Sequence, residues 1–468
     1  MEYLTRVLHE ASKDKKFRFH PLCKSLNIIN LCFVDDLLLV CKKNANSIQI
    51  IQKSFEAFSD ASGLFINNLM SQIYFGGISD SEKASLLNLS KLTEGSFPLI
   101  YLGMPLRPTK WKAMDCDLIL KKIRLRLHGW ASRNLSYAGR VQLIHSVLLG
   151  IRNYWMSIFL LPQRVIKEID CLCRNFFWGV KGTRSKFHLT SWDQVCRPKS
   201  HGGLGFKEGP LWNKINLARY IWAISSKQDL LWVKWMNCIY LKGDQIWDYV
   251  LHQDSSWYWK KLIKLSKTLS SSTLNAAVIQ GKLQLNKLYL LSIPGSPINS
   301  MKVVWCKLSV PKHRFILWQT INQKLLTRDL LHYYHISIPC LACPVCESDL
   351  ECHSHLFFNC TFSKRVFQVV AGWLGDFIWP EKFDDWCIWL NETRKGCMAR
   401  VVLAALAASV YYLWLNRNKC CFESSCFSVY HLDSLIKESV KARVSSLSLR
   451  TKKLSFREKI MIQFISSL

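Results

Sequence analysis

The chain has 468 residues, 49% of them hydrophobic, which excludes a disordered polymer and allows about two to four domains. It carries 63 Lys and Arg against 33 Asp and Glu, a net charge of +30 that argues against polycationic partners and predicts a polyanion, RNA or DNA. Its 19 cysteines are scattered, and residues 1–20 lack the apolar core of a secretory signal. Reduced thiols in an intracellular compartment, nucleus or cytoplasm, are therefore expected rather than a disulfide framework.

Leu31-Cys32-Phe33-Val34 and Leu37-Leu38-Leu39-Val40 read as two short buried strands on either side of Asp35-Asp36. Adjacent carboxylates at a tight turn repel each other unless a cation lies between them. Two-metal phosphoryl transfer uses such carboxylates, but it needs a further one on a neighbouring strand. The earlier acids Glu2, Glu10 and Asp14 lie in no apolar strand, so only half of such a site is legible.

An amphipathic helix follows, with Ser47 as N-cap, Ile48, Ile51, Phe55 and Phe58 on one face, and Gly63 at a left-handed C-cap. Leu64-Phe65-Ile66 and Ile73-Tyr74-Phe75 read as strands, and Tyr101 to Leu106 as a short strand and turn. From residue 112 the period becomes helical. Ile119, Ile123, Leu127 and Trp130 form a stripe flanked by Lys121, Lys122, Arg124 and Arg126. Arg140 to Trp155 repeats the pattern with Ile144, Val147, Leu148 and Ile151. Residues 265–300, rich in Ser, Thr and Asn, read as a linker. Val401 to Leu415 is uncharged but shorter than the ~20 residues that span a bilayer, so a buried helix and no membrane partner are expected. Lys437 to Lys459 alternates basic and apolar residues, the pattern of a basic amphipathic helix or of a solvated face.

Cys343, Cys346, His355 and Cys360 follow the pattern C-x2-C-x8-H-x4-C. Three thiolates and one imidazole are the ligand set of a closed structural zinc site, with no position left for a reactive water. Cys340, Cys352 and His353 lie close enough in sequence to be mistaken for ligands, and Cys352 could replace one of the four.

Taken together, these residues resemble the reverse transcriptase of plant non-LTR retrotransposons. Phe33-Val34-Asp35-Asp36 resembles that family's (F/Y)-A-D-D turn, with Val34 in place of Ala. Ser62-Gly63-Leu64, Asn67 and Ser71 resemble its S-G-L-x-x-N-x-x-K-S motif, with Met70 in place of the lysine. Tyr101-Leu102-Gly103 resembles the primer-grip turn, and Leu135 to Arg140 the L-S-x-A-G-R stretch of the thumb. The segment from Trp305 through Val310-Pro311-Lys312 and Phe315 to Cys360 resembles the zinc-binding domain, and Trp414 with Arg417-Asn418 the C-terminal W-x-x-R-N. Residues 240–300 fit the family poorly.

The resemblance implies an α+β, mostly helical chain. It would comprise an incomplete reverse-transcriptase palm at 1–110, a helical thumb at 111–240, a linker region at 241–300, a small zinc module at 301–370 and a helical tail at 371–468. Asp35 and Asp36 would be the remnant catalytic pair, with Mg2+ bound only if the polymerase works. A Met at position 70 cannot pass a proton to pyrophosphate. The expected function is a catalytically inactive, reverse-transcriptase-derived RNA-directed DNA polymerase that grips nucleic acid through Lys121, Lys122, Arg124, Arg126 and Arg140. The alternatives are an active enzyme completed by upstream sequence and a non-enzymatic interaction protein.

Overall fold

A computed structural model describes residues 2–131, 134–181, 184–185, 188–375, 379–380, 385, 388–389 and 397–448. The chain divides into two compact units. One comprises Met1–Ile119, Trp155–Val165 and Asn213–Leu291; the other comprises Leu120–Tyr154, Ile166–Trp212 and Ser292–Leu468. Helix dominates, and the described strands pair only two by two.

Helix α1 (Glu2–Ala11) packs on α2 (Ala45–Ser62), with the hairpin β1 (Asn30–Phe33) and β2 (Asp36–Leu39) between them in sequence. Leu4, Leu8, Phe17, Ile29 and Phe58 form a small core, against which Leu37 and Leu39 of β2 pack. The strand β1 was expected to be buried as well. Instead Leu31 and Phe33 are exposed, because they share the face of Leu38 and Asp36, opposite the face on which Leu37 and Leu39 meet the core, and Val34 is exposed in the turn. The N-cap of α2 is Asn44, whose side chain accepts from Asn46 N–H, rather than Ser47. Ser47 lies buried within the first turn, where its hydroxyl accepts from Arg18 N–H. Gly63 does end the helix with φ +72°, as its sequence position implies.

Leu64-Phe65-Ile66 forms no strand and is exposed, and β3 contains only Gln72–Ile73. Beyond α3 (Asp80–Ser90), β4 (Thr93–Glu94) pairs in parallel with β3. The expected turn at Leu102-Gly103 closes a hairpin of β5 (Leu99–Tyr101) and β6 (Met104–Leu106), with both turn residues at positive φ.

Helices α4 (Asp117–Ala131), α5 (Tyr137–Leu143), α6 (Leu149–Met156) and α7 (Gln163–Trp178) follow, with a π-turn at Ile144–Leu148. Next come β7 (Val180–Lys181), β8 (Arg184–Ser185), α8 (Trp192–Cys196), α9 (Gly209–Ser225) and α10 (Leu231–Met236). In the first unit, Asn213 accepts from Leu161 N–H and donates to the carbonyls of Met156 and Phe159, so one buried amide fixes the loop after α6. In the second, buried Arg152 pairs with Asp170 and donates to the Phe206 carbonyl. Gly203 is required there, since a Cβ would stand 2.1 Å from the Arg197 carbonyl oxygen.

The stretch 265–300 is folded. It holds the end of α11 (Trp257–Ser266), then α12 (Ser271–Ala276), a hairpin of β9 (Val278–Ile279) and β10 (Lys282–Leu283), and α13 (Leu285–Leu291). Its serines suggested a linker but act as caps: Ser270 accepts from Thr273 N–H at the start of α12. The second unit continues with α14 (Met301–Val304), α15 (Pro311–Ile321), α16 (Arg328–Tyr333), α17 (Thr361–Leu374), α18 (Cys397–Glu423) and α19 (Val429–Ser448). The apolar stretch of α18 is buried on all sides from Val401 to Val410, and α15 and α19 pack on it. Residues 399–423 of α18 are long and apolar enough to cross a membrane, yet 78% of the apolar window is buried inside the fold. A core helix, as expected, accounts for it. The Lys437 to Lys459 pattern is helical to Ser448, where Lys437 pairs with Asp433, and its remainder lies outside the described residues.

Candidate metal centre

The Cys343-x-x-Cys346 pair sits in a tight loop whose ends are tied by an antiparallel bridge between Ala342 and Leu350. Cys343 N–H donates to the Asp349 carbonyl at 2.7 Å, and Glu347, at φ +57°, turns the chain back so that its N–H reaches the Cys343 carbonyl at 2.9 Å. His355 opens a π-turn (His355–Asn359), and Cys360 N–H closes it onto the His355 carbonyl at 2.7 Å. Cys360 is also the N-cap residue of α17. A nine-residue sequence gap is thus folded into contact by two local devices, a loop and a turn.

The ligand atoms of Cys343, Cys346, His355 and Cys360 all lie within 4.8 Å of one another, and three of the four residues are buried. Donors at about 2.0–2.3 Å from a tetrahedral ion stand roughly 3.5–3.8 Å apart, so this cluster needs only slight contraction around zinc. His355 Nε2 is 3.2 Å from Cys346 Sγ, and its Nδ1 faces the Asp349 carboxylate at 3.8 Å. A carboxylate behind a ligating imidazole fixes which nitrogen is free to bind. The Cys360 thiol is held below its usual range, first by its hydrogen bond with Cys343 and then by the N–H groups of Ser363 and Phe362. Cys343 is held above its range by the same bond and by burial. Thiolates brought this close repel each other, and a bound dication would relieve that repulsion.

The nearby residues that resemble ligands in sequence are engaged elsewhere. His353 accepts from Leu325 N–H through Nε2 and faces the Thr327 hydroxyl through Nδ1, and burial pushes it down to about 4. Cys352 Sγ accepts from His355 N–H, and Cys340 Sγ accepts from Arg328. Cys352 is not among the four side chains whose ligand atoms converge.

Residues 284–367 match the family described as zinc-binding in reverse transcriptase. This segment is of reverse-transcriptase type. The chain is also 34% identical over 126 residues, 27% of its length, to an Arabidopsis thaliana protein provisionally named a ribonuclease H protein. It spans only 20% of that curated relative's length. Both matches fit the C-terminal part of a plant retrotransposon reverse transcriptase.

Within the zinc-binding segment lies a contact that the motifs did not reveal. Glu351 is fully buried and binds Arg417 of α18 in a two-pronged ion pair, both bonds 2.6 Å. Glu351 also accepts from Arg328 N–H at the start of α16. The W-x-x-R-N motif thus has a structural partner: Arg417 stacks on Trp414 and anchors α18 to the loop that carries Cys343 and Cys346. The only sequence signal was the motif itself, more than sixty residues away from Glu351.

The other candidate residues are dispersed. Asp35 and Asp36 sit at the exposed tip of the β1–β2 hairpin, and Val34 beside them adopts φ +53°. Among the described residues, no third carboxylate, His or Cys joins them in a metal-sized group. Lys121, Lys122, Arg124 and Arg126 are exposed on α4, opposite the buried Ile119 and Ile123. Arg124 pairs with Glu168, whereas Lys121, Lys122 and Arg126 form no ion pair among the described residues. Arg140 is half-buried and donates to the carbonyls of Phe176 and Phe177 at the C-terminal end of α7, where a cation is favoured. Trp130 packs on Phe176, and Tyr137 packs on Phe177 and Phe315.

Proposed function

We propose that this chain is a retrotransposon-derived reverse-transcriptase fragment that binds nucleic acid, holds a structural zinc ion and does not polymerise by itself. The observation that carries the reading is the four-donor cluster inside the segment matching the zinc-binding family. Cys343, Cys346, His355 and Cys360 would hold the ion, which supplies cohesion to the module and no reaction step. In this reading residues 1–110 are a partial palm and the helices that follow are a thumb. Lys121, Lys122 and Arg126 contact RNA or DNA phosphates. Arg140 and Arg124 contribute less, since their guanidinium groups already have partners. The reading of inactivity is supported by Asp35 and Asp36 having no companion ligand among the described residues, and by Met70. Mg2+ binding there would be weak. In the same reading the protein resides in nucleus or cytoplasm, supported by the absence of a disulfide framework beyond Cys420–Cys426 among the described cysteines.

The test is a salt titration of the full chain binding labelled single-stranded RNA. Binding should fall steeply with salt, and reversing the charges of Lys121, Lys122 and Arg126 should lower the log–log slope by about two for single strands. An unchanged slope would move the interface off α4. Primer extension with Mg2+ or Mn2+ should give no product above an Asp35→Ala control; a clear excess would restore the enzyme.

A further inference from the structure

The second unit contains a group of cations that faces no carboxylate among the described residues. In the chain's well-buried ion pairs, each arginine faces a carboxylate: Arg107 faces Asp115, Arg152 faces Asp170 and Arg417 faces Glu351. Around the loop from Trp305 to Val310 the pattern is different. Lys199 Nζ lies 4.7 Å from the centre of the Trp305 ring. Arg443 of α19 reaches the same loop from another side, donating to the Lys307 carbonyl at 3.2 Å. Arg314, one turn into α15, follows directly on that loop, and its side chain makes no ion pair among the described residues. Three segments far apart in sequence therefore bring three positive charges to one loop.

Several donors there are buried and unused. Trp305 Nε1, Arg314 Nε and Arg443 Nε are shielded from solvent and have no hydrogen-bond partner among the described residues. A buried donor without a partner forfeits its hydration, and a charged one forfeits more, so folds seldom keep several side by side without reason. Like charges add to that cost. Burial and then Arg314 lower the Lys199 ammonium, and burial and then Arg443 lower the Arg314 guanidinium. No carboxylate contributes to either shift; only the Cys306 thiol on the same loop acts in the opposite direction on Arg314. Part of the Lys199 side chain remains exposed even so, and the group is open to solvent on that side.

We propose that Lys199, Arg314 and Arg443, with the indole N–H of Trp305, form a binding site for a phosphate group. A tetrahedral oxyanion supplies several acceptors and up to two negative charges, which matches three cations and the unused N–H groups of Trp305, Arg314 and Arg443 better than a single carboxylate would. Backbone phosphodiesters and free phosphate share this chemistry. The first source rests on the nucleic-acid reading above; the second does not.

The experiment uses the full chain and two probes. Inorganic phosphate is titrated at constant ionic strength set by chloride while the unfolding temperature is followed, and single-stranded RNA binding is measured across salt. Wild type, Lys199→Gln and the double variant Arg314→Met with Arg443→Met are compared. A wild-type rise of several degrees with phosphate, lost in the double variant and reduced in Lys199→Gln, establishes the site. An RNA salt slope lower by about one in the double variant assigns it to backbone phosphate. An unchanged slope with a lost phosphate response assigns it to free phosphate. If wild type binds no RNA at all, the nucleic-acid reading fails while the phosphate titration still decides the site. Equal responses of wild type and double variant to both probes overturn the proposal. Without phosphate the double variant should unfold no earlier than wild type, because repulsion has been removed; a large drop would mean that the guanidinium groups are structural and would also overturn it.

Discussion

Arg417 and Glu351 show how a single pair of residues can fix a module. Glu351 is wholly enclosed and Arg417 nearly so, and both hydrogen bonds are short and parallel. Cutting Arg417 back to Met would leave a carboxylate buried with only Arg328 N–H as partner. Such a loss costs about 3–5 kcal/mol. Urea unfolding of Arg417→Met should register a drop of that size, and a loss below about 1 kcal/mol would mean that water reaches Glu351. A second residue gives the chain a pH dependence. His313 is buried between Tyr411 and Tyr412 beside Lys312, its Nε2 has no partner, and burial pushes it down to about 3. Its folded pKa lies below the unfolded value, so the unfolded state binds the extra proton. This stabilisation is complete above about pH 6.5 and is lost as pH falls toward 3, by a few kcal/mol in order of magnitude. His313→Leu should flatten the stability–pH curve in that window; an unaltered curve would assign the acid sensitivity to other groups.

At the scale of elements, the β1–β2 hairpin shows what happens to strand-like sequence without a sheet. The register pairs Phe33 with Asp36, leaving Val34 and Asp35 as the turn. A β-branched residue at φ +53° is strained by roughly 1–2 kcal/mol, and nothing packs on Val34 to compensate, since it is 74% exposed. Val34→Gly should therefore stabilise the hairpin by up to about 1 kcal/mol, net of the extra backbone entropy of glycine. Slower amide exchange from Leu31 to Leu38 would show it; faster exchange would mean that the turn is relaxed as it stands. By contrast, α18 is stable because every side of it from Val401 to Val410 is covered. The helix α4 divides cleanly into the buried face of Ile119 and Ile123 and the charged face of Lys121, Lys122 and Arg126. Its basic stripe was legible because a 3.6-residue period sorts side chains without reference to distant sequence.

For the molecule as a whole, the charge of +30 and the metal centre set the behaviour in solution. Cys420 and Cys426 are joined in a disulfide across the end of α18, beside otherwise free described cysteines, so the chain is not stapled by a disulfide framework. The short loop segment around Cys343 depends on the ion for cohesion in our reading. The purified chain should contain about one zinc, and Cys343→Ser should lower that content and the unfolding temperature together. A chelator should have the same effect on wild type and little further effect on the variant. A chain that keeps its unfolding temperature after complete zinc removal would show that the packing of Leu356, Phe357 and α17 suffices.

The sequence by itself determined the features that depend on local spacing. The C-x2-C-x8-H-x4-C ligands, the Gly63 cap, the Leu102-Gly103 turn and the amphipathic face of α4 each follow from residues a few positions apart. Only the tertiary structure decided which apolar runs are covered. Leu37 and Leu39 pack on the core that includes Leu4, Leu8 and Phe58, whereas Leu31, Phe33 and Leu64 to Ile66 are exposed, although all are apolar. It also decided which charges are spent, with Arg417 closed on Glu351 and Arg314 and Arg443 left without an anion among the described residues. The reason is physical. Hydrogen-bonded turns and helix periods are short-range, but burial and charge pairing depend on partners that the chain brings together only when it folds.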